Sequence, residues 1–444
     1  MTSAAKQDSQ HGDFRQYLPD LSSPRFTTLA QCDAYSHARE LTEHHRPPWL
    51  YGLYTHWQKL LQEPFKGITN DGNVRPGLFK IRDEGVPIES IVAAADAVVA
   101  QLSAEQRGRT LLHIDSPEWR TWSNPEFLLS AKGLRLEELS PGLRDAVLGV
   151  LRAALSPEGY EKALAAMRVN HFLGELVGGQ KVMNQYSYNF VLFGAEPSTT
   201  RPWGFSFYGH PLAAINAVVA DSWAAVDLCL SAFLYCTQIV VSPWFTGAEP
   251  NLIDDGPWRG TRILDEEERL GLRLMQSLTA EQQERARTYK QMKDPAMPKG
   301  RWNHDDQRHL CGAYRDNRVV PYEGVVVSGL GPEQQELVEK ILEQYLLYLP
   351  RRARELRLRD CAERFHETYF SWIGGFGDAD PFYYRVQSPV VVAEFDHHSG
   401  VFLSNPEPAK FHIHTLLRTP NGGDYGYALR GQIEGVEQEY VWEG

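Results

Sequence analysis

Cysteine is scarce in this chain, and its few copies are scattered. The 444 residues include five cysteines, Cys32, Cys229, Cys236, Cys311 and Cys361, and no two of them form a C-x-x-C pair. An odd, dispersed set of cysteines is typical of thiols in a reducing compartment. The sequence therefore argues against a disulfide framework and against a thiolate zinc site.

Excess positive charge and a hydrophobic leader are also lacking. The 45 lysines and arginines are outnumbered by 57 acidic residues, and no basic stripe or arginine-rich arm occurs. Nucleic acid is therefore not expected as a partner. The opening MTSAAKQDSQHGDFRQYLPD contains no apolar segment of the signal-peptide type, so we expect a cytoplasmic location. Residues 1–25 are polar and are expected to be flexible.

Long hydrophobic runs are rare, and a single one raises the question of a membrane. It extends from Pro211 to Val241, contains Asp221 and Asp227, and has no flanking lysines or arginines. Membrane-spanning helices avoid internal acids and are usually flanked by basic residues. We therefore expect a buried core segment here and no membrane partner.

Nucleotide-binding and hydrolase signatures are absent: the chain has no G-x-G-x-x-G motif, no P-loop and no G-x-S-x-G elbow. No internal repeat is evident either. Helical periodicity covers 89–109, 140–155, 156–167, 264–292 and 331–350, whereas alternating, aromatic-rich segments predict strands near 181–194, 203–209, 237–247, 381–398 and 411–419. This pattern predicts an α+β fold with a mostly antiparallel sheet flanked by amphipathic helices. We expect a single domain over 26–440, with a helical part at 26–175 and a sheet-and-helix part at 176–440.

Two histidines near the C-terminus are the strongest chemical signal. His412 and His414 alternate along a predicted strand, so their imidazoles share one face. Glu394, Asp396 and His398 share one face of the preceding strand, and a hairpin through residues 399–409 would bring the two faces together. Imidazole and carboxylate together suit one divalent transition metal, namely iron, copper or zinc. A metal-free acid/base site and a solvent-exposed polar face remain open as alternatives.

Two other polar clusters have simpler explanations. The segment HDDQRHLC at 304–311 is metal-like in composition, but its spacing predicts a polar loop. The run Glu266, Glu267 and Glu268 opens an amphipathic helix, where acidic residues are favoured by the helix dipole.

Several separated blocks resemble a known family. The blocks PFKGITNDG, LSPEGYEKALAAM, WGFSFYGH, SPWFTGAEPN, RDNRVVPYEGV, YFSWIGGFGDADPFYYRVQSPVVVAEFDHH and KFHIHTLLRTPNGGDYG occur in order between about residues 60 and 430. Together they resemble the domain of unknown function 3500 family, in the long form found in fungi and some bacteria. The polar residues that match its pattern are His210, Glu394, His412, His414, Arg418, Asp424 and Tyr425.

The chain departs from that family pattern after His210. The pattern usually reads G-H-H-L and continues directly into a strand, whereas here residues 211–227 intervene before Leu228. We interpret 211–227 as an insertion, either genuine or translated from an unspliced intron. The second histidine of the pattern is then missing.

These observations predict a mononuclear metalloenzyme that acts on a small molecule. We expect His210, His412, His414 and Glu394 to bind the metal, and Glu394, Arg418, Asp424 and Tyr425 to take part in catalysis. Arg418 could bind a substrate carboxylate. An oxygenase or oxidase, possibly of secondary metabolism, is the first expectation. A metal-dependent hydrolase or lyase that uses metal-bound water and a non-catalytic binding protein are the alternatives. The oligomeric state is left open.

Overall fold

A single mixed sheet organises the chain in the computed structural model, which describes residues 14–45, 48–123, 130–209, 228–303 and 306–436. Within these residues twelve strands form, and most neighbouring strands are antiparallel. The strands are β1 Leu111–Leu112, β2 Leu134–Arg135, β3 Asn189–Phe193, β4 Trp203–Gly209, β5 Leu228–Tyr235, β6 Gln238–Ala248, β7 Arg287–Tyr289, β8 Val325–Val326, β9 Tyr369–Gly374, β10 Phe382–Gln387, β11 Val392–His398 and β12 Ala409–Arg418.

Helices cover both sides of this sheet. They are α1 Pro24–Leu29, α2 Ala34–Thr42, α3 Pro48–Leu61, α4 Ile88–Val99, α5 Ala104–Thr110, α6 Pro141–Ala154, α7 Pro157–Val177, α8 Asp265–Ser277, α9 Ala280–Ala286, α10 Pro332–Tyr345, α11 Arg351–Ala362 and α12 Tyr427–Arg430. The predicted α+β class with a mostly antiparallel sheet is confirmed.

The sheet is built from two antiparallel meanders. One meander contains β3 to β6 and the other contains β9 to β12, and the two meet where β6 pairs with β12. Short strands extend each outer end, where β1 runs parallel to β3 and β7 runs parallel to β9. The centre of the sheet therefore combines a strand from the first half of the chain with the last strand of the second half.

The two halves repeat one order of elements, although no repeat is evident in the sequence. In each half a long and a short helix lead into a short strand, and a second short strand with a 3-10 turn leads into two helices and a four-stranded meander. The clearest sequence trace is the capping box that starts the short helix, Ser103 with Gln106 in one half and Thr279 with Gln282 in the other. A core tolerates many substitutions as long as the pattern of apolar residues is kept, so two halves can share a topology without detectable sequence similarity.

These capping boxes also explain a boundary that periodicity alone missed. The spans 89–109 and 264–292 each read as one helix, but each contains two helices, α4 with α5 and α8 with α9. A serine or threonine hydroxyl accepts the backbone N–H three residues later and starts a new helix. The second helix then leads directly into a short strand.

The two faces of the sheet are covered differently. Apolar side chains of α4, α6, α7, α8 and α10 pack on one face, with Leu417 of β12 among the sheet residues that meet them. The other face is covered by α3 and by long loops, and Leu416 of β12 points to that side. Alternate residues of each strand therefore enter a helical layer and a loop layer.

The apolar run from Pro211 to Val241 is described only in its second part. Residues 228–241 form β5, a two-residue turn and the start of β6, whereas 211–227 lie outside the described residues. No helix in the described part is long and apolar enough to cross a membrane.

Phe14 is buried against Phe172 and Phe411, and residues 1–13 are outside the described part, so the flexibility of 1–25 stays a prediction. All five cysteines are thiols.

Candidate metal centre

Three buried imidazoles meet on the loop-covered face of the sheet. His412 and His414 are alternate residues of β12, so they project to one side, as strand periodicity predicts. β11 pairs with β12 in an antiparallel register that sets Asp396 opposite His414. The register shifts between His397 and His398 at the end of β11. Such irregularities re-aim side chains, and His398 here joins the two histidines of β12.

The distances within this cluster match the requirements of one metal ion. One nitrogen each from His398, His412 and His414 lies within 4.8 Å of the others. The Nε2 atoms of His412 and His414 are 3.1 Å apart. Tetrahedral coordination with metal–nitrogen bonds of about 2.0–2.1 Å needs ligand nitrogens roughly 3.3 Å apart. We call His398, His412 and His414 the three-histidine cluster.

Burial keeps all three imidazoles neutral, which is the form that binds metals. None is more than 1% exposed. Burial lowers the pKa of His412 to about 3. Burial lowers the pKa of His398 and of His414 well below the usual histidine value; His414 and His412 add to the effect at His398, and His412 and His309 add to it at His414. At neutral pH the cluster therefore offers uncharged nitrogen donors.

Glu249 supports the cluster from the other half of the chain. It follows β6, and its Oε1 lies 3.6 Å from Nδ1 of His412. The same carboxylate accepts the backbone N–H groups of Val401, Phe402 and Leu403 at 2.8–3.2 Å, in the loop that follows His398. A carboxylate beside the second nitrogen of a metal-binding histidine fixes the orientation of the ring. Burial raises the pKa of Glu249 to about 7 despite these N–H donors.

An aspartate and a histidine form the next layer around the cluster. Asp396 accepts a hydrogen bond of 2.6 Å from Nε of Arg308, while its Oδ2 is buried and has no partner in the described residues. Burial raises the pKa of Asp396 to about 7, although Arg308 opposes the shift. The ring of His309 lies 6.3 Å from that of His414, and neither of its nitrogens has a described partner. Unsatisfied polar atoms are thus concentrated beside the three-histidine cluster.

The segment 304–311 was expected to be a polar loop, but its described side chains are buried next to the three-histidine cluster. Residues 304 and 305 lie outside the described part, but Arg308 and His309 are about 1% exposed and cover the cluster. The expectation of a polar loop holds for the backbone, which is irregular. Its side chains, however, are buried between the loop layer and the sheet.

Glu394 lies on the same face of the sheet but is not part of the three-histidine cluster. Its two oxygens accept N–H groups from Leu310 and Cys311 at 2.8 and 2.9 Å, and the hydroxyl of Tyr383 donates to Oε1 at 2.6 Å. Burial opposes ionisation, but His309, Arg385 and these donors lower the pKa of Glu394 overall. Glu394 therefore anchors the covering loop, and the three-histidine cluster contains His398 instead. The expected roles of Glu394 as a ligand and in catalysis stay predictions.

Arg418, Asp424 and Tyr425 form a separate buried network. Arg418 donates to Asp424 at 2.7 Å and to Asp316 at 2.5 Å, and the hydroxyl of Tyr425 donates to Asp316 at 3.0 Å. Arg418 is four residues from His414 on the same strand, roughly 13 Å along its axis. Both edges of its guanidinium are occupied by protein groups, so this geometry stabilises the segment after β12. A role in substrate binding or catalysis stays a prediction.

The remaining predicted ligand, His210, lies outside the described residues. His398 was placed on the correct face by the sequence but was not chosen as a ligand. Glu249 was missed, because its proximity to His412 depends on the pairing of β6 with β12. The block SPWFTGAEPN carried the available signal, since it contains an acid, Glu249, next to a proline at the end of a predicted strand.

An open cavity lies elsewhere in the molecule. It has a volume of about 360 Å³ and is lined by residues that include Phe79, Ile239, Leu346 and Arg357. No member of the three-histidine cluster lines it. The chemistry of the buried cluster, rather than the size of this cavity, identifies the candidate site.

Comparison with protein families agrees with the resemblance seen in the sequence. The model of the family described as "Protein of unknown function (DUF3500)" matches residues 84–226 and 227–427. No curated protein and no solved structure matches the chain. Because the two matched segments cover most of the sequence, the chain belongs to the DUF3500 family.

Proposed function

We propose that this DUF3500 protein is a mononuclear metalloenzyme that acts on a small molecule. The observation that carries the proposal is the convergence of three buried, neutral imidazoles with donor nitrogens within 4.8 Å of one another. A pair of buried histidines could be explained by one N–H···N hydrogen bond. A third imidazole in the same place leaves nitrogen atoms of His398 without partners in the described residues, which a metal would satisfy.

The donor set favours iron, copper or zinc. Imidazole suits all three of these metals, whereas magnesium and calcium prefer oxygen ligands. We propose His398, His412 and His414 as the ligands, with Glu249 orienting His412. His210 stays a candidate for a further ligand. Three protein ligands leave coordination positions open for reactants, as in catalytic sites.

Oxidation of a small molecule is the first reaction class that we propose. Three neutral ligands leave the charge of the metal uncompensated and several positions free, so oxygen and a substrate could both approach an iron or copper ion. The metal would supply the redox chemistry. The protein would supply a dry site, in which Phe245 packs edge-on at 5.1 Å from His414.

A hydrolase or lyase is the second class, and Asp396 favours it. Its Oδ2 is buried, has no partner in the described residues and belongs to the residue opposite His414. An oxygen in this position could accept a hydrogen bond from a water molecule next to the cluster. A metal would supply Lewis acidity, and Asp396 would orient the water.

Metal analysis tests the proposal directly. Purified protein should contain, or take up, close to one equivalent of iron, copper or zinc, and His398→Ala, His412→Ala and His414→Ala should each lose it. His397→Gln is the matched control, because His397 neighbours His398 in sequence but instead accepts the N–H of Phe382 at 3.0 Å. Equal metal content in all of these variants would refute the site.

Oxygen uptake separates the two reaction classes. With iron or copper bound, an oxidase or oxygenase should consume oxygen in the presence of a substrate. A hydrolase or lyase should retain activity with zinc and without oxygen. The same small-molecule panel serves both assays, and the His412→Ala variant provides the background rate.

A further inference from the structure

A buried arginine without a hydrogen-bonded acidic partner among the described residues lies near the candidate metal centre. Arg301 is 6% exposed, and its Nη1 donates to the backbone oxygen of Arg308 at 2.7 Å. Its Nε and Nη2 atoms are buried and have no hydrogen-bond partner in the described residues. Buried charges are normally paired, because desolvation of an isolated ion is costly. An unpaired guanidinium in this position indicates an anionic ligand.

The position of Arg301 relates it to the three-histidine cluster. Its guanidinium carbon is 5.1 Å from the centre of the Tyr383 ring. Tyr383 is paired with Asp396, and Asp396 is paired with His414, so the three residues form a row across β10, β11 and β12. Two strand spacings, roughly 10 Å, separate the ends of this row. Arg301 therefore lies near the Tyr383 end of this row, and its charge also acts on Asp396 and His309, which border the cluster.

The open edge of Arg301 has the geometry of a carboxylate site. Nε and Nη2 form the side of a guanidinium that can hold both oxygens of one carboxylate. The chain uses this edge twice elsewhere. Arg15 holds Asp254 through Nε and Nη2 at 2.6 and 2.7 Å, and Arg269 holds Glu266 through the same atoms at 3.0 and 2.6 Å. In Arg301 the same two atoms remain available.

We propose that Arg301 binds the carboxylate of a small organic acid whose reacting end lies at the three-histidine cluster. The distance along the row sets the reach between the carboxylate and that end at roughly 10 Å. The position of the reacting end rests on the proposed metal function. The binding of a carboxylate by Arg301 does not, because the unpartnered Nε and Nη2 atoms of Arg301 are not part of the three-histidine cluster.

Carboxylate binding to metal-free protein tests the role of Arg301 by itself. Isothermal titration with butyrate should give saturable binding, weakened at least tenfold in Arg301→Met. Arg301→Lys should fall between the two, because it keeps the charge and loses the fork. Arg269→Met, which removes an exposed and paired arginine, should bind like the wild type. Equal affinity of Arg301→Met and the wild type would overturn the proposal.

Thermal melting distinguishes this role from a structural one. Removing an unpaired buried charge should leave the Tm of metal-free Arg301→Met unchanged or higher, and excess butyrate should raise the Tm of the wild type only. A lower Tm of Arg301→Met combined with unchanged butyrate binding would assign Arg301 a structural role and overturn the proposal.

A chain-length series tests the distance to the cluster. Cobalt-loaded protein is titrated with straight-chain dicarboxylates, and the cobalt absorption spectrum reports a carboxylate at the metal. Affinity should peak at the acid whose two carboxylates span roughly 10 Å, and Arg301→Met should abolish the peak. A flat length dependence in cobalt-loaded wild type would overturn the proposed reach. If cobalt does not bind but butyrate binding still requires Arg301, the metal proposal fails and the carboxylate site stands.

Discussion

Replacing Asp316 by asparagine should destabilise the protein without affecting the candidate metal centre. Asp316 accepts from Arg120 at 2.9 Å, from Arg418 at 2.5 Å and from Tyr425 at 3.0 Å. Asp316 and both arginines are no more than 2% exposed. Asparagine removes the negative charge that lies between two buried guanidinium groups. Breaking a buried ion pair on one side typically costs about 3–5 kcal/mol of unfolding free energy.

The effect should be visible as a lower Tm. Arg418 keeps Asp424 as a partner, and Arg120 keeps its hydrogen bonds to the backbone oxygens of Leu60, Leu61 and Glu63, but the negative charge that both guanidinium groups share at Asp316 is lost. By the usual scaling of the unfolding entropy with chain length, the loss corresponds to a decrease in Tm of roughly 3–5 °C. Metal uptake and butyrate binding should match the wild type. A variant that melts like the wild type but loses metal or butyrate binding would refute this structural assignment.

The pH dependence of the unfolding free energy provides a second measure of what the Asp316 carboxylate contributes to stability. Burial alone would raise the pKa of Asp316, but Arg418 and Arg120 outweigh it and lower the pKa below the ordinary aspartate value. A carboxyl with a lowered folded-state pKa stabilises the fold above its unfolded pKa, and this contribution is lost as the pH falls through the folded-state value. Acid melting curves of Asp316→Asn should therefore be flatter than those of the wild type below about pH 4. Parallel curves would contradict the coupling to the two arginines.

Three further variants test the role of Glu249 at the metal site, the packing of α8 against β10, and the need for residues 211–227. Glu249→Gln should weaken metal affinity by about 10- to 100-fold in competition titrations, because the carboxylate orients a ligand, and unchanged affinity would exclude this role. Gly271→Ala should lower the Tm, since a Cβ at this position would lie 2.2 Å from the ring of Tyr384; an unchanged Tm would show that the ring can move away. Deleting residues 211–226 with Asp227→His leaves two residues between paired strand ends, which is a common hairpin length, so the shortened protein should fold with higher solubility and metal content. Failure of the shortened protein to fold, judged by melting, would show that the segment is required.

Local periodicity predicted the parts of the site that depend on one strand. Side chains alternate along β12, so the shared face of His412 and His414 follows from their spacing. Contacts between distant strands are not encoded in that way. Glu249 reaches His412 because β6 pairs with β12, and the two residues are far apart in sequence. Periodicity places His398 on one face with Glu394 and Asp396, but spacing within one strand does not show which residue of that face reaches His412 and His414.

Buried polar residues were harder to assign from the sequence. Arg418 matched the family pattern and suggested a substrate-binding group. Its actual environment depends on Asp316, which a loop of the second half places beside it. Arg301 shows the opposite case, since its loop has no regular pattern and its unpaired edge is visible only in three dimensions. Composition alone cannot distinguish a paired from an unpaired buried arginine.

The repeat in the fold offers an internal comparison of the two halves. Gly194 follows β3 and Gly374 ends β9, with φ angles of 104° and 102°. When the two glycines are aligned, the strand registers bring Ser206 of the first half to the position of Arg385 in the second. The same registers match each half strand by strand as far as β5 and β11.

This comparison separates what the sheet needs from what the site needs. Ser206 pairs with Ser231, and their hydroxyls are 3.1 Å apart, at the positions that Arg385 and Glu394 occupy in the other half. Two residues further along the strand, Phe233 stands where the second half has Asp396. The first half therefore builds the same meander with neutral side chains, so the fold does not require buried charges on this face. Burial of charge is costly, and its concentration around the three-histidine cluster in one half is best explained by the chemistry of that half.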